Sequence, residues 1–372
     1  MEIFAPTGVI ELAVDDTLCR KRGLTLYGAG MHHDPLISSR AKPLVSWGHD
    51  WVVLCLVIVN PFWAPGKVFA LPIAMRLYRN RQGVTKGKKS KTKSKPKADP
   101  NHRTRPQLAV ELISLVSTWF PHDDIVITGD SAYGGKSVLS QLPTNVHLIS
   151  HVHPKGALYA PPPPRTGQRK GAPRKKGARL PGMAAWASNT AQPWTELVFD
   201  QFGLHATLQV KTQQGLYYKA GGQRLLTIVL VHDVLGQRPD QMFYCTKLDW
   251  DARQILSTYA YRWAIECTFE NCKQFLGLED PANRLPLAVA RTAPMALVLY
   301  TLVVVWFQHT GHRFVRFPRR PWYQRKQDPS FADLLTTLRR VSYDDKTRIL
   351  HPQRSRLKTW IAQITESLAR PA

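Results

Sequence analysis

The chain has 372 residues, enough for two domains of typical size or for one domain with a large insertion. Hydrophobic residues make up 44% and aromatic residues 10%, with 11 Trp, which excludes a disordered chain. The chain has 51 Lys and Arg against 26 Asp and Glu, a formal net charge of +25. The expected partner is therefore a polyanion, and nucleic acid is the first candidate.

The cysteines indicate the redox compartment of the protein, and the apolar runs indicate whether it spans a membrane. Five cysteines occur without the paired spacing of zinc sites, so we expect free thiols in a reducing cytoplasm: Cys19, Cys55, Cys245, Cys267 and Cys272. The longest apolar runs, residues 50–61 and 295–307, are shorter than the roughly 20 residues of a membrane-spanning helix. We therefore expect core elements, no membrane partner and no small-molecule substrate.

The first part of the chain predicts a sheet that carries acidic residues. Residues 11–16 form a short apolar segment that predicts a strand ending in Asp15 and Asp16. Two β-branched and aromatic runs, residues 50–59 and 67–78, are separated by a turn-rich stretch. They predict a hairpin beside the first strand.

A loop, a helix and a second acid follow the hairpin. The lysine-rich run over residues 86–97 cannot bury apolar surface and predicts a solvated, flexible loop. Apolar residues at helical spacing predict a helix over residues 105–120. Residues 124–128 then predict a strand that ends at Asp130.

The second part of the chain predicts more strands and then helices. The predicted strands lie at residues 146–151, 196–211, 226–232 and 241–245, with a basic, proline-rich loop at residues 160–182. A long helix is predicted over residues 251–277, with Asp249 as its N-cap and Gly277 as its stop. A buried helix over residues 291–307 and a short amphipathic helix over residues 329–340 follow it.

Four polar residues share one face of the long predicted helix. At 100° per residue they fall within about 60° of one another on the helical wheel: Tyr259, Arg262, Glu266 and Lys273. A carboxylate beside a phenol, a guanidinium and an ammonium group suits a metal ligand flanked by phosphate-binding groups. The alternative is a solvated helix face with an ion pair between Arg262 and Glu266.

Three acids predict the chemistry. Asp15 and Asp130 at predicted strand ends and Glu266 on the helix face form the carboxylate set that can bind two Mg²⁺ ions. Two such ions, about 3.5–4 Å apart, clamp the attacking and leaving oxygens of an in-line phosphoryl displacement. The acids therefore predict hydrolysis or transesterification of a phosphodiester.

At these residues the chain resembles the DDE transposases of bacterial insertion sequences. The Tyr-x2-Arg-x3-Glu-x6-Lys signature of one branch of that family matches at all four residues of the helix face. The resemblance extends to Asp-Asp-Thr at residues 15–17, Gly-Asp-Ser-Ala-Tyr-Gly at residues 129–134 and Lys-Gly-Ala-Leu-Tyr at residues 155–159. It covers about residues 10–310.

The resemblance implies the fold and the domain organisation. The expected fold class is α/β, ribonuclease H-like, with a mixed sheet, flanking helices and a β-rich insertion between the second and third acids. Residues 1–150 and 249–310 would form the catalytic core, residues 151–248 the insertion and residues 311–372 a basic C-terminal tail.

The resemblance also implies a function. We expect a transposase in which Asp15, Asp130 and Glu266 bind two Mg²⁺ ions, replaceable by Mn²⁺, while Tyr259, Arg262 and Lys273 bind phosphates of the element ends. The enzyme would cut DNA at those ends and join them to target DNA, as a homodimer in a synaptic complex associated with the cytoplasmic nucleoid.

Two further hypotheses concern the state of this copy. Relatives carry a DNA-binding region before the first catalytic strand, which here begins within about a dozen residues of Met1. This difference suggests an N-terminally truncated transposase. The alternative is a DNA-binding protein without activity, that is, an inactive or domesticated transposase derivative that binds DNA without moving it.

For some site residues a neighbouring residue is an alternative candidate. The family's Asp-x-Thr pattern favours Asp15 as first ligand, and strand alternation lets only one of Asp15 and Asp16 face the site. Glu270 lies one turn beyond Glu266 but does not fit the signature spacing. For the neighbours His32 and His33, opposite strand faces favour a structural or DNA-facing role over a shared metal.

Overall fold

The computed structural model describes residues 8–39, 41–80, 102–164, 172–201, 204–236, 238–317, 326–350, 364, 366, 368 and 369. The lysine-rich run at residues 86–97 and residues 165–171 of the basic loop lie outside this part of the chain. The described strands are β1 (Ile10–Arg20), β2 (Gly30–His33), β3 (Val45–Val59), β4 (Val68–Tyr78), β5 (Ile125–Gly129), β6 (Val146–His151), β7 (Thr195–Gln201), β8 (Leu204–Leu216), β9 (Leu225–Asp233) and β10 (Gln241–Cys245).

Helices flank these strands. They are α1 (Arg105–Trp119), α2 (Lys136–Leu139), α3 (Met183–Ala187), α4 (Tyr218–Gly221), α5 (Ala252–Tyr261), α6 (Trp263–Phe275), α7 (Pro286–His309) and α8 (Phe331–Leu350), with a 3-10 helix at Gly311–Phe314. The predicted α/β class is confirmed, because strands and helices pack together in two apolar clusters, the larger of which extends from β1 to α8.

The strands form one mixed sheet in the order β2-β3-β1-β5-β6-β10-β9-β8-β7, with β4 also paired to β3. β5 is parallel to β1 and to β6, and the other pairs are antiparallel. The path β4-β3-β1-β5-β6 is compatible with a ribonuclease H-like core. β7–β10 continue the same sheet, because β10 hydrogen-bonds to β6.

β1 differs from its prediction in length. The apolar pattern predicts a strand that ends at the acids, whereas β1 continues to Arg20 because it pairs with β3 from Leu12 as far as Arg20. The parallel pairing of β1 with β5 does end at Val14, opposite Gly129. Asp15 therefore lies at the point where β1 loses one neighbour, and side chains of a helix can approach it there.

The long predicted helix is two helices that meet at Arg262. Its N-cap is Asp251 and not Asp249, because the Asp251 carboxylate accepts from the Gln254 N–H in a reciprocal capping box. The turn at Arg262 is tightened, with hydrogen bonds from Arg262 N to Tyr259 O and from Ile265 N to Arg262 O. The backbone of Arg262 nevertheless stays in the right-handed helical region, so residues on either side keep a common face.

α7 is longer than predicted. It spans 24 residues, and among the described residues it is the one helix long and apolar enough to cross a membrane by length and composition. A core helix passes the same test, and eight of its side chains are buried: Val289, Ala293, Ala296, Leu297, Tyr300, Val303, Val304 and Phe307. One face of α7 therefore packs on β4 and α6, whereas Met295, Val298, Leu299 and Leu302 are exposed, so the predicted buried helix is only partly buried.

Gly129 provides a test of how β5 ends. A Cβ atom at this position would lie 2.9 Å from Tyr133 Cβ and 3.2 Å from Val14 Cγ1. Gly129→Ala should therefore destabilise the chain by about 1–3 kcal/mol through overpacking, measured by urea denaturation. The matched control is Gly135→Ala, where an added Cβ meets no atom within 4 Å and should cost less than about 1 kcal/mol. Equal stability of the two variants would contradict this packing.

Candidate functional site

Asp15 and Asp16 point to opposite faces of the sheet. Asp16 accepts a hydrogen bond of 2.6 Å from Tyr133 Oη and lies 3.3 Å from Arg105 Nε, on the side covered by α1. Asp15 accepts a hydrogen bond of 2.7 Å from Arg262 Nη1, on the side covered by α5 and α6. The alternation of a strand thus separates the two candidates for the first ligand.

The guanidinium of Arg262 joins β1 to α6. Besides its bond to Asp15, Arg262 donates from Nη2 to Glu266 Oε1 over 3.1 Å. Its charge lies 5.7 Å from the centre of the Tyr259 ring. The Arg262 and Asp15 side chains are only 15% and 17% exposed, so their ion pair is largely shielded from solvent, whereas Glu266 is 39% exposed. Asp15 and Glu266, distant in sequence, therefore face one shared cation.

Asp130 is fixed at the end of β5 by its own turn. Its Oδ1 accepts from Ala132 N over 2.8 Å, and its backbone oxygen accepts from Tyr133 N and Ser150 Oγ. The turn brings the Tyr133 ring under the sheet, where it is fully buried and reaches Asp16. Asp130 itself is partly exposed, and its charge acts on both Asp15 and Asp16.

The acids of β1 are protonated more readily than ordinary carboxyls. Burial raises the pKa of Asp15 to about 7; the Arg262 charge opposes this shift, and the negative charges of Asp16 and Asp130 add to it. Burial and the charge of Asp50 likewise raise the pKa of Asp16 to about 6, against the attraction of Arg105. The region has an excess of negative charge that a bound cation would relieve.

A second ionic group lies behind Asp16. Asp50 on β3 is buried and ion-paired with Arg105 of α1, and its carboxylate lies 3.5 Å from Nδ1 of the buried His32. Burial and the Arg105 charge lower the pKa of His32 to about 4. The sequence pattern did not identify Asp50 and Arg105 as members of this group. A carboxylate within an apolar strand was the one feature of the sequence that pointed to Asp50.

The predicted separation of the two adjacent histidines agrees with this arrangement. His32 is buried beside Asp50, whereas His33 is exposed at the other face of β2. Asp34 pairs with Arg20 and accepts from Ser46 Oγ, which lowers its pKa to about 2. These contacts give the segment a structural role in the β2–β3 region.

His151 is a further site residue that sequence analysis missed. It ends β6, and its ring lies 4.9 Å from the Tyr259 ring and 4.3 Å from the Phe243 ring. Burial lowers its pKa, with the Arg262 charge acting in the same direction and Asp130 against it. A neutral imidazole therefore lies between the helix face and the second acid; a histidine at the end of a predicted strand was the only signal.

Lys273 and the remaining helix residues are placed differently from Glu266. Lys273 Nζ donates to Leu18 O over 2.8 Å and lies 3.4 Å from Glu279 Oε1, so it joins the C-terminal end of α6 to β1. Glu270 and Trp263 are exposed. In the described chain Lys273 thus lies two turns beyond Glu266, with its charge directed to the backbone of β1.

The spacing of the acids bears on whether they can bind a divalent ion together. Within the described residues, no three His, Cys, Asp or Glu side chains lie at the mutual spacing of a metal site. Asp15 and Asp130 are close enough for their charges to interact, and the Arg262 guanidinium lies between Asp15 and Glu266. Oxygen donors with an excess of negative charge suit Mg²⁺ by their chemistry.

Comparison with known families agrees with the geometry. A family described as DDE superfamily endonuclease matches residues 1–218, more than half of the chain. The chain belongs to the DDE superfamily endonucleases. Such enzymes act on DNA, generally with divalent metal ions, so nuclease or transposase activity in general follows for this DDE endonuclease. Among curated proteins, no match is found.

The matched range includes two of the three acids. Asp15 and Asp130 lie within the matched residues, and the match ends at residue 218, before α5 and α6. For Glu266, the link through Arg262 to Asp15 is the structural evidence.

The raised pKa of Asp15 gives a prediction about stability. The folded chain keeps a proton on Asp15 up to about pH 7, whereas an unfolded chain releases it near pH 3.8. The folded state is therefore destabilised as pH rises through this window, by at most about 4 kcal/mol above pH 7. Asp15→Asn, which stays neutral, should raise Tm at pH 8 in metal-free buffer and raise it much less at pH 5.

The control is Asp123→Asn, because Asp123 is exposed and its replacement should change Tm little at either pH. A larger loss of Tm for Asp15→Asn at pH 8 than at pH 5 would show that the attraction of Arg262 outweighs the burial of Asp15.

Proposed function

We propose that this DDE endonuclease is a transposase of an insertion sequence, of the branch with the Tyr-x2-Arg-x3-Glu-x6-Lys signature. The observation that carries the proposal is the Arg262 guanidinium, which binds Asp15 on β1 and Glu266 on α6 at once. It supports a common site for two acids that are 251 positions apart. Asp130, whose charge acts on Asp15, completes the set.

In this proposal Asp15, Asp130 and Glu266 hold two Mg²⁺ ions, which Mn²⁺ can replace. When bound, the ions would activate a water or a DNA 3′-OH and stabilise the leaving oxygen. The protein residues orient the phosphodiester at the open edge where β1 loses β5. Water as the attacking group gives cleavage at an element end, and the freed 3′-OH as the attacking group gives transfer to target DNA.

Cationic and aromatic groups around the acids would position the DNA. Tyr259 and Arg262 lie at the acids, and we propose that they contact phosphates next to the scissile bond. For Lys273 we propose the same role once its bond to Leu18 O is exchanged for a phosphate. The lysine-rich run at residues 86–97 and the basic loop at residues 160–182 would add sequence-independent affinity through released counterions.

The proposal includes the organisation of the chain. Residues 1–150 and 249–310 would form a ribonuclease H-like core, residues 151–248 a β-rich insertion and residues 311–372 a basic tail. Two element ends must meet before transfer, so a homodimer in a synaptic complex would be the active form, associated with the nucleoid in the cytoplasm.

Glu266→Gln tests the assignment of the third acid. Removal of its charge should reduce DNA cleavage in Mg²⁺ by a factor of about 10² or more, because one metal ligand is lost. DNA binding should remain and should fall steeply with salt, since phosphate contacts supply it. Cleavage of a labelled element-end duplex and fluorescence anisotropy measure the two effects.

Glu270→Gln is the matched control, because Glu270 is an exposed glutamate one turn further along α6. The Glu270→Gln variant should cleave DNA at close to the rate of the unaltered protein. Equal cleavage by the Glu266 variant and the unaltered protein would overturn the site. Binding without any cleavage by the unaltered protein would favour an inactive or domesticated derivative instead.

A further inference from the structure

A basic and aromatic cleft lies next to the acids. Its volume is about 810 Å³, and its walls come from the turn after β5, the segment after β6 and the residues around α4. Four lysines line it: Lys136, Lys155, Lys176 and Lys219. No Asp or Glu contributes to the wall in the part of the chain that is described. The cleft is therefore built for an anionic ligand.

Three of the lysines are available to a ligand. Lys136, Lys155 and Lys219 are exposed, and within the described chain no carboxylate forms an ion pair with them. This differs from Lys247 and Lys326, each of which is paired with an aspartate. Unpaired lysines that converge on one cleft suit phosphate groups.

The aromatic groups of the cleft are held in place. Tyr159 pairs through its backbone with Leu216 and Arg179. Lys176 Nζ lies 3.8 Å from the centre of the Tyr159 ring and 5.0 Å from that of Tyr218. Tyr217 and Tyr218 are half-buried at the start of α4. Fixed rings among cations are the platforms on which the bases of single strands stack.

The cleft reaches the acids through His151. This residue lines the cleft, and its ring also contacts Tyr259 of the helix face. Ser131, another wall residue, directly follows Asp130. A ligand in the cleft would therefore continue from a phosphodiester placed at Asp15 and Asp130.

We propose that this cleft binds unpaired nucleotides of the DNA strand that continues from the scissile phosphodiester. The proposal rests on the proposed function, which places that phosphodiester at the acids. A volume of about 810 Å³ is in the range of pockets that enclose drug-sized molecules, so it takes one or two nucleotides with exposed bases and not a duplex. Lys136, Lys155 and Lys219 contact the phosphates, and Tyr217 and Tyr218 stack on bases.

Binding measurements without metal test the proposal apart from catalysis. The probes are a labelled oligothymidylate and a blunt duplex of equal length, followed by fluorescence anisotropy. Tyr218→Ala should weaken single-strand binding about 5- to 150-fold, the effect of losing one stacked base. Tyr218→Phe, which keeps the ring, should bind nearly as well as the unaltered protein. Duplex binding should change little in either variant.

The lysines are tested in the same assay. Lys136→Gln combined with Lys219→Gln should flatten the salt dependence of single-strand binding by up to about 1.4, because about 0.7 is lost per phosphate contact. The matched control removes two exposed cations elsewhere, Lys42→Gln with Arg238→Gln. It should leave the single-strand slope closer to that of the unaltered protein.

A strand carrying 2-aminopurine provides a direct readout of stacking. Its fluorescence should fall on binding to the unaltered protein and to Tyr218→Phe, and should fall less with Tyr218→Ala. Equal loss of single-strand and duplex affinity in Tyr218→Ala, or no loss at all, would overturn the proposal, provided thermal denaturation shows a folded variant. Single-strand binding by the cleft together with no cleavage of any DNA would instead contradict the proposed function.

Discussion

The Arg262 guanidinium is the contact on which the candidate site depends. It bonds to Asp15 on the central strand and to Glu266 on the following helix, and it is mostly buried. Because two anions share this one cation, removal of Arg262 would leave both acids without their counter-charge. The bridge fixes α6 against β1 and sets where the third acid stands.

The pairing of the strands leaves Asp15 accessible to Arg262. β1 has β3 as a neighbour along most of its length, but its pairing with β5 ends opposite Gly129. Beyond that point Asp15 faces the helices, and Asp130 leaves β5 in a turn closed by Ala132 and Tyr133. The stretch of β1 that has β3 but no longer β5 as a neighbour thus forms the floor of the candidate site, and the acidic charge there favours a cation.

Charged and polar groups lie on two sides of the candidate site. Behind it, Asp16 and Asp50 share the charge of Arg105, which links β1 and β3 to α1. Beside it, His151 contacts Tyr259 of the helix face and also lines the lysine-rich cleft. An acidic centre bordered by basic surfaces suits a DNA strand, whose phosphates are attracted by the basic surfaces.

The sequence by itself determined the elements and the residue types of the site, because both leave local signals. Apolar periodicity located the longer strands and helices but not β2, α2, α3 or α4, and it merged β7 with β8 and α5 with α6. The spacing on α5 and α6 put Tyr259, Arg262 and Glu266 on one face. Only the tertiary structure decided which of Asp15 and Asp16 faces that helix, that Asp50 and Arg105 lie behind it, and that His151 borders a cleft. Those facts depend on strand pairing and on contacts between distant segments, which no local pattern records.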